Sequence, residues 1–148
     1  MRALLQRTSG ASVAIDGVTV SSVGPGLVVL LGVGPRDDES TVEGLARRIV
    51  GLRIFRDENG RTNLSLLDTG GAVLLISQFT LFADTRRGRR PGFTGAAPAE
   101  HAERLYERMA TELRGLGVKV ATGRFGAEMA VQLTNDGPFT IWLDTDER

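Results

Sequence analysis

Leu27-Val28-Val29-Leu30-Leu31-Gly32-Val33 has no polar residue at either parity, so a strand formed here is covered on both faces. Gly24-Pro25-Gly26 opens the run and Gly34-Pro35 closes it, as expected at strand ends. A second run of the same kind, Ala72-Val73-Leu74-Leu75-Ile76, follows some forty residues later. Two such strands belong at the centre of a layered sheet rather than at its edge.

The segments around these runs supply the other layers. Between them, Val42, Leu45, Ile49 and Leu52 recur at helical spacing, Asp37, Asp38 and Ser40 offer N-caps, and Ser40 with Glu43 has capping-box spacing. Arg53-Ile54-Phe55 reads as a short strand, Asp57-Glu58-Asn59-Gly60 as a turn, and Asn63 through Asp68 to Gly70-Gly71 as a polar connection. Upstream, residues 2–7 and 12–15 read as two short strands, and Asp16-Gly17 before Val18-Thr19-Val20 is a hairpin signal. Downstream, Pro98 stands near the start of a helix that presents Ala102, Leu105, Met109, Leu113 and Leu116 and ends at Gly115 and Gly117. Val118, Val120 and residues 127–134 complete the sheet. Asn135-Asp136-Gly137-Pro138-Phe139-Thr140 then reads as a turn between two strands, Met129, Val131 and Leu133 leading in and Ile141-Trp142-Leu143 leading out. With no repeat, linker or low-complexity stretch, residues 1–148 are expected to form one mixed α/β domain with its helices on one side.

Composition narrows the chemistry. The chain has no cysteine and one histidine, so thiolate catalysis and the usual zinc constellations are excluded, and no cofactor is expected. Eighteen basic residues balance eighteen acidic ones, so net charge does not announce a nucleic-acid partner. Arg86, Arg87, Arg89 and Arg90 nevertheless concentrate positive charge beside Gly88 and Pro91-Gly92, either as a solvated loop or as a phosphate contact. No eighteen consecutive residues are apolar and Met1-Arg2 leads straight into a strand, which predicts a soluble, cytoplasmic protein with no membrane partner. His101 sits in the first turn of the second helix and reads as a surface residue. Asp37, Asp38, Glu39, Asp57 and Glu58 occupy turn and cap positions. Ser77-Gln78-Phe79-Thr80 stands out, because it places polar side chains abruptly at the end of a buried strand, where α/β domains commonly bind ligands. A Ser77 or Thr80 nucleophile would require a base that the sequence does not supply.

Ser77-Gln78-Phe79-Thr80-Leu81 followed far downstream by Asn135-Asp136-Gly137-Pro138-Phe139-Thr140 resembles the motif pair of the D-aminoacyl-tRNA deacylases, also called D-tyrosyl-tRNA deacylases. Leu5-Gln6-Arg7, Leu30-Leu31-Gly32-Val33, Arg53-Ile54-Phe55, Asn63-Leu64, Ala83-Asp84-Thr85, Gly123-Arg124-Phe125 and the arginine loop before Pro91 are similar to that family as well, so the resemblance spans essentially the whole chain. It implies a three-layer β/β/α fold with barrel-like sheets and two main helices on one side. It also implies a cytoplasmic homodimer with the active site at its interface and aminoacyl-tRNA as partner.

The activity implied is hydrolysis of the ester that joins a D-amino acid, or glycine misplaced on alanine tRNA, to the terminal adenosine. By the family pattern Gly137-Pro138 is cis and enters the partner's pocket, where its carbonyls exclude L side chains. Gln78 and the Phe79 amide hold the substrate carbonyl, Ser77 and Thr80 shape the turn, and the terminal 2′-hydroxyl assists. Arg7 braces the Gly-Pro element, with Asn135 and Thr140 in support, and Arg86, Arg87, Arg89 and Arg90 meet tRNA. Phe139 stands where the family often has valine, and Gly92 where serine is frequent. Two alternatives remain: the L-alanine-removing paralogue, which carries Pro and Ala where this chain has Ser77 and Phe79 and whose Gly-Pro is trans, and a non-catalytic nucleic-acid-binding module.

Overall fold

The computed structural model describes residues 1–147. Strand β1 (Arg2–Ile15) turns at Asp16 and Gly17, both at positive φ (50° and 77°), into β2 (Val18–Val23), as the hairpin signal predicts. β1 is one strand rather than the two short ones expected, because one partner, β8 (Ala130–Asp144), runs past the Ser9-Gly10 interruption. β3 (Gly26–Gly32) pairs with residues 2–8 of β1, β2 with residues 11–15, and β8 with both halves. β6 (Ala72–Ser77) lies parallel to β3, and β7 (Lys119–Thr122) parallel to β6.

The strand order is therefore β2-β1-β3-β6-β7, with β8 also on β1. The Ser21 hydroxyl of β2 donates to the Thr122 carbonyl of β7 at 2.8 Å, bringing the two ends of that order together into a nearly closed, barrel-like sheet.

The unalternating apolar runs now have their physical reason. Leu27, Val29, Leu31, Val73 and Leu75 pack under helices α1 (Glu39–Gly51) and α3 (Ala99–Gly115), against Leu45, Ile49, Leu105, Met109 and Leu113. Val28, Leu74 and Ile76 face the other way and meet Ala11 and Val13, with Val131 and Leu133 closing this second core. Helices, central sheet and the β2–β8 side thus make the three layers of the β/β/α arrangement. Each fully buried large aliphatic contributes about 1.5–3 kcal/mol, so both cores are needed for stability. At the entry to β3, backbone approaches backbone: a Cβ on Gly26 would lie 1.9 Å from the Ala72 carbonyl oxygen, so only glycine permits the β3–β6 contact.

Several local expectations are corrected. α1 is capped by Asp38 with Thr41, not by Ser40 with Glu43; the Asp38 carboxylate accepts the Thr41 amide at 2.8 Å. The short strand after α1 is β4 (Phe55–Arg56), and it pairs with β5 (Thr62–Leu64). The stretch read as a polar connection contains β5 and the one-turn helix α2 (Leu66–Thr69), capped reciprocally by Ser65 and Asp68. Finally, Asn135–Thr140 is not a turn between two strands. Both of its flanks pair antiparallel to β1, Asn135 with Thr8 and Thr140 with Gln6, so β8 keeps its direction and residues 136–139 bulge opposite Arg7.

Candidate active site

β6 delivers its polar end into a defined geometry. The Gln78 amide donates to the Leu31 carbonyl at 2.7 Å, a last rung on β3, and the chain then tightens into a 3₁₀ turn over Phe79–Phe82. The Leu81 and Ala83 amides return to the carbonyls of Gln78 and Thr80 at 3.2 and 3.0 Å, whereas the amides of Phe79 and Thr80 have no partner among the described residues. The Gln78 side-chain amide donates to the Thr80 hydroxyl. Phe79 keeps its ring half outside and sets it edge-on to Phe93, with centroids 5.0 Å apart.

Ser77, Gln78 and Phe79 line a cavity of about 540 Å³, Phe93, Ala96 and Ala97 forming one wall and Gly126, Ala127 and Met129 another. None of the residues lining it is titratable. Phe125 also lines it and lies against Tyr106, whose hydroxyl donates to the Leu75 carbonyl at 2.9 Å. Burial pushes that phenol up to about 12, so Tyr106 is a neutral strut and not a proton donor at neutral pH. Thr80 is not among the lining residues. Phe93 and Met129 were not singled out as site residues, since both read as ordinary apolar positions; the aromatic directly after Gly92 was the available signal.

The carboxylates and the histidine are committed elsewhere. Asp37 is buried, accepting the Met1 amino group at 2.7 Å and the Gly34 amide at 2.6 Å. His101 is half-buried rather than a free surface residue, its Nε2 2.9 Å from the Asp37 carbonyl oxygen. Asp57 accepts the amides of Asn59 and Arg61, each at 2.9 Å, and those bonds lower its pKa, the Arg61 amide most.

The Gly-Pro segment forms a separate constellation. Arg7 is only 4% exposed; its Nε donates to the Asp136 carbonyl at 3.0 Å and its Nη1 to the Ile54 carbonyl at 2.6 Å. The Asp136 carboxylate lies 3.5 Å from the same Nε. Asn135 spans the bulge, its side-chain oxygen accepting the Phe139 amide at 2.9 Å and its side-chain nitrogen donating to the Thr140 hydroxyl at 2.9 Å. The Gly137–Pro138 peptide is cis, and both residues are exposed. Within one chain neither lines the cavity that holds Ser77, Gln78 and Phe79. The structure therefore brings Arg7, Asn135, Gly137, Pro138 and Thr140 together, and Ser77, Gln78, Phe79 and Thr80 together, as two groups.

The arginine loop is a third feature. Asp84 and Gly92 close its base with reciprocal backbone bonds of 2.7 and 2.9 Å. Arg86, itself exposed, folds back onto the Asp84 carboxylate at 2.7 and 2.8 Å, and this contact holds Asp84 well below the usual carboxylate range. Arg87, Arg89 and Arg90 are exposed and form no ion pair among the described residues.

The β/β/α arrangement recurs in solved structures. One described as c-Myc DNA Unwinding Element Binding Protein superposes with a TM-score of 0.92 at 38% identity, covering 98% of this chain and 99% of that one. Another, described as a probable eukaryotic D-amino acid tRNA deacylase, shares the fold with a TM-score of 0.83 at 19% identity over 96% of this chain and 97% of its own. The family model for D-Tyr-tRNA(Tyr) deacylase matches residues 4–144, and the chain belongs to that family of hydrolases. The D-aminoacyl-tRNA deacylase of Ruegeria pomeroyi is 58% identical over 97% of this chain and 99% of its own. That of Lacticaseibacillus casei is 55% identical over the full length of both.

Proposed function

We propose that the chain deacylates mischarged D-aminoacyl-tRNA in the cytoplasm, working as a homodimer without a cofactor. The observation that carries this reading is the cavity itself: a polar strand end whose Phe79 amide is unengaged among the described residues, set among side chains none of which is titratable. Such a site can position an ester that is already labile and stabilise its oxyanion, and it need do little else.

In this mechanism the ester carbonyl oxygen takes the Phe79 amide as donor, with Gln78 beside it. Water adds to the carbonyl carbon, the bond to the terminal ribose 3′-oxygen breaks, and that oxygen leaves with the proton that water supplied. The neighbouring 2′-hydroxyl relays the proton, a role the cavity wall leaves to the substrate. Gly137 and Pro138 of one protomer reach the cavity of its partner, which is consistent with their exposure and with their separation from the cavity of their own chain. Their carbonyls meet an L side chain and spare a D side chain or the hydrogen of glycine, so glycyl-tRNA(Ala) is a second substrate. Ser77 and Phe79 favour this reading over the L-alanine-removing paralogue.

The test compares D-tyrosyl-tRNA, glycyl-tRNA(Ala) and D-tyrosyl-tRNA ending in 2′-deoxyadenosine. Rapid loss of the first two esters and persistence of the deoxy ester is expected. Equal loss of the deoxy ester would remove the 2′-hydroxyl step.

A second reading, a nucleic-acid-binding module, rests on Arg87, Arg89 and Arg90 and on the similarity, with a TM-score of 0.92, to a protein described as c-Myc DNA Unwinding Element Binding Protein. It requires nucleic-acid affinity with a steep salt slope and no ester hydrolysis.

A further inference from the structure

We propose that Arg124 binds the phosphate that joins the terminal adenosine to the rest of the tRNA; the inference rests on the deacylase reading above. β3, β6 and β7 run parallel, so their C-terminal ends open on the same side, the side on which such sheets bind ligands. Leu75 of β6 pairs with Thr122 of β7, and the Gly123 amide donates to the Leu75 carbonyl at 3.3 Å, which carries the ladder past the last paired residue. Two residues beyond that pair, the register sets Arg124 beside Ser77, where β6 hands over to the turn bearing the Phe79 amide. β7 therefore ends in a cation at the level where β6 ends in the polar site.

Close packing keeps this segment in place. A Cβ on Gly123 would lie 2.4 Å from Met129 Sδ, and the Ala127 amide donates to the Arg124 carbonyl at 3.2 Å, closing a turn. Phe125, Gly126 and Ala127 line the cavity, so Arg124 begins that wall without itself entering it. The Arg124 side chain is exposed and makes no ion pair among the described residues, not even with Glu128, exposed on the same segment. The cavity lining carries no charge, and the first anion of the substrate lies one ribose away from the ester held at Phe79. A guanidinium rooted beside Ser77 meets that anion with a planar fork that fits two phosphate oxygens. The arginine loop joins the opposite wall through Gly92 and Phe93, and its cations are left to phosphates further along the tRNA.

The experiment measures kcat/KM for two minimal substrates, the 3′-D-tyrosyl esters of adenosine and of adenosine 5′-phosphate, with wild type, Arg124→Ala, Arg124→Lys and the double variant Arg87→Ala/Arg89→Ala, melting curves establishing folding. Wild type is expected to prefer the phosphorylated ester about tenfold, the size of one charge-assisted contact. Arg124→Ala brings the ratio of the two esters close to one through a loss on the phosphorylated ester. Arg124→Lys keeps part of the preference, since the charge stays while the fork is lost, and Arg87→Ala/Arg89→Ala keeps all of it. A wild-type ratio near one, an Arg124→Ala ratio equal to that of wild type, or a preference lost in the loop variant instead would overturn the inference. Should Arg124→Ala not fold, Arg124→Gln takes its place under the same criteria. A folded wild-type protein that hydrolyses neither D ester and leaves D-tyrosyl-tRNA intact refutes the deacylase reading itself, a failure visible before any variant is made.

Discussion

Asn135 holds both ends of the Gly-Pro bulge, accepting the Phe139 amide and donating to the Thr140 hydroxyl, each at 2.9 Å. This one side chain supplies the cross-links that an uninterrupted strand would take from its neighbour. Asn135→Ala removes both bonds and is expected to cost about 1 kcal/mol of stability, the typical net value for a partly exposed site. It should also reduce the D/L kinetic ratio. Denaturant unfolding beside paired ester assays checks this, and a ratio unaffected by the substitution would detach Asn135 from selection.

Gly137 has φ +136°, and a Cβ on it would press on Arg7 Nη2. Gly137→Ala therefore forces a strained backbone conformation of about 1–3 kcal/mol or displaces Arg7. Lower chiral selection in a protein that still folds is the expected result, read from turnover of the two enantiomeric esters.

Thr80 receives the Gln78 side chain, and no titratable residue lines the adjoining cavity. Thr80→Ala should keep kcat for the D ester within about tenfold of wild type, far less than the loss of a true nucleophile would cause. Abolished turnover in a folded variant would restore Thr80 as the attacking group.

Arg87 and Arg89 point into solvent, whereas Arg86 is spent on Asp84. Alanine at 87 and 89 should weaken tRNA binding and flatten its salt dependence by about one phosphate contact per arginine, while hydrolysis of a minimal D-aminoacyl-adenosine continues. Arg86→Ala should act mainly by freeing the loop. Filter binding across a salt series separates the two effects.

Asp38 caps α1, and bonds from the Thr41 amide and then from the Ser40 and Thr41 hydroxyls lower its pKa from 3.8 to about 2. A carboxyl whose folded pKa lies below its unfolded one stabilises the protein above the unfolded value and stops doing so as pH falls through the folded one. The melting-temperature difference between wild type and Asp38→Asn should be present at pH 7, shrink below pH 4 and vanish near pH 2.

Much of this was legible in the residues, and the rest was not for physical reasons. Runs apolar at both parities, such as Leu27–Val33, announced strands with a core on each side, and the helical spacing of Leu105, Met109 and Leu113 announced a face. Asn-Asp-Gly-Pro, by contrast, has the same local chemistry in a hairpin turn and in a bulge. What decides between them is pairing with β1 more than a hundred residues away, and no local pattern carries that. Ser65 and Asp68 had capping-box spacing that marked α2, but its single turn was overshadowed by the surrounding polar residues. In the site, the abrupt polarity after Ile76 located the turn. The resemblance implied that Arg7 braces the Gly-Pro element, but its burial was not legible, since a charged residue in an alternating strand normally faces water. Phe93 and Met129 reach the cavity through tertiary packing alone.

On the proposed function, this chain removes D-amino acids from tRNA and spares L-amino acids. The most direct test follows D-tyrosyl-tRNA and L-tyrosyl-tRNA side by side with purified protein and no added metal. Rapid loss of the D ester with the L ester intact is the predicted result; survival of both esters beside a folded protein, or equal loss of both, would contradict it.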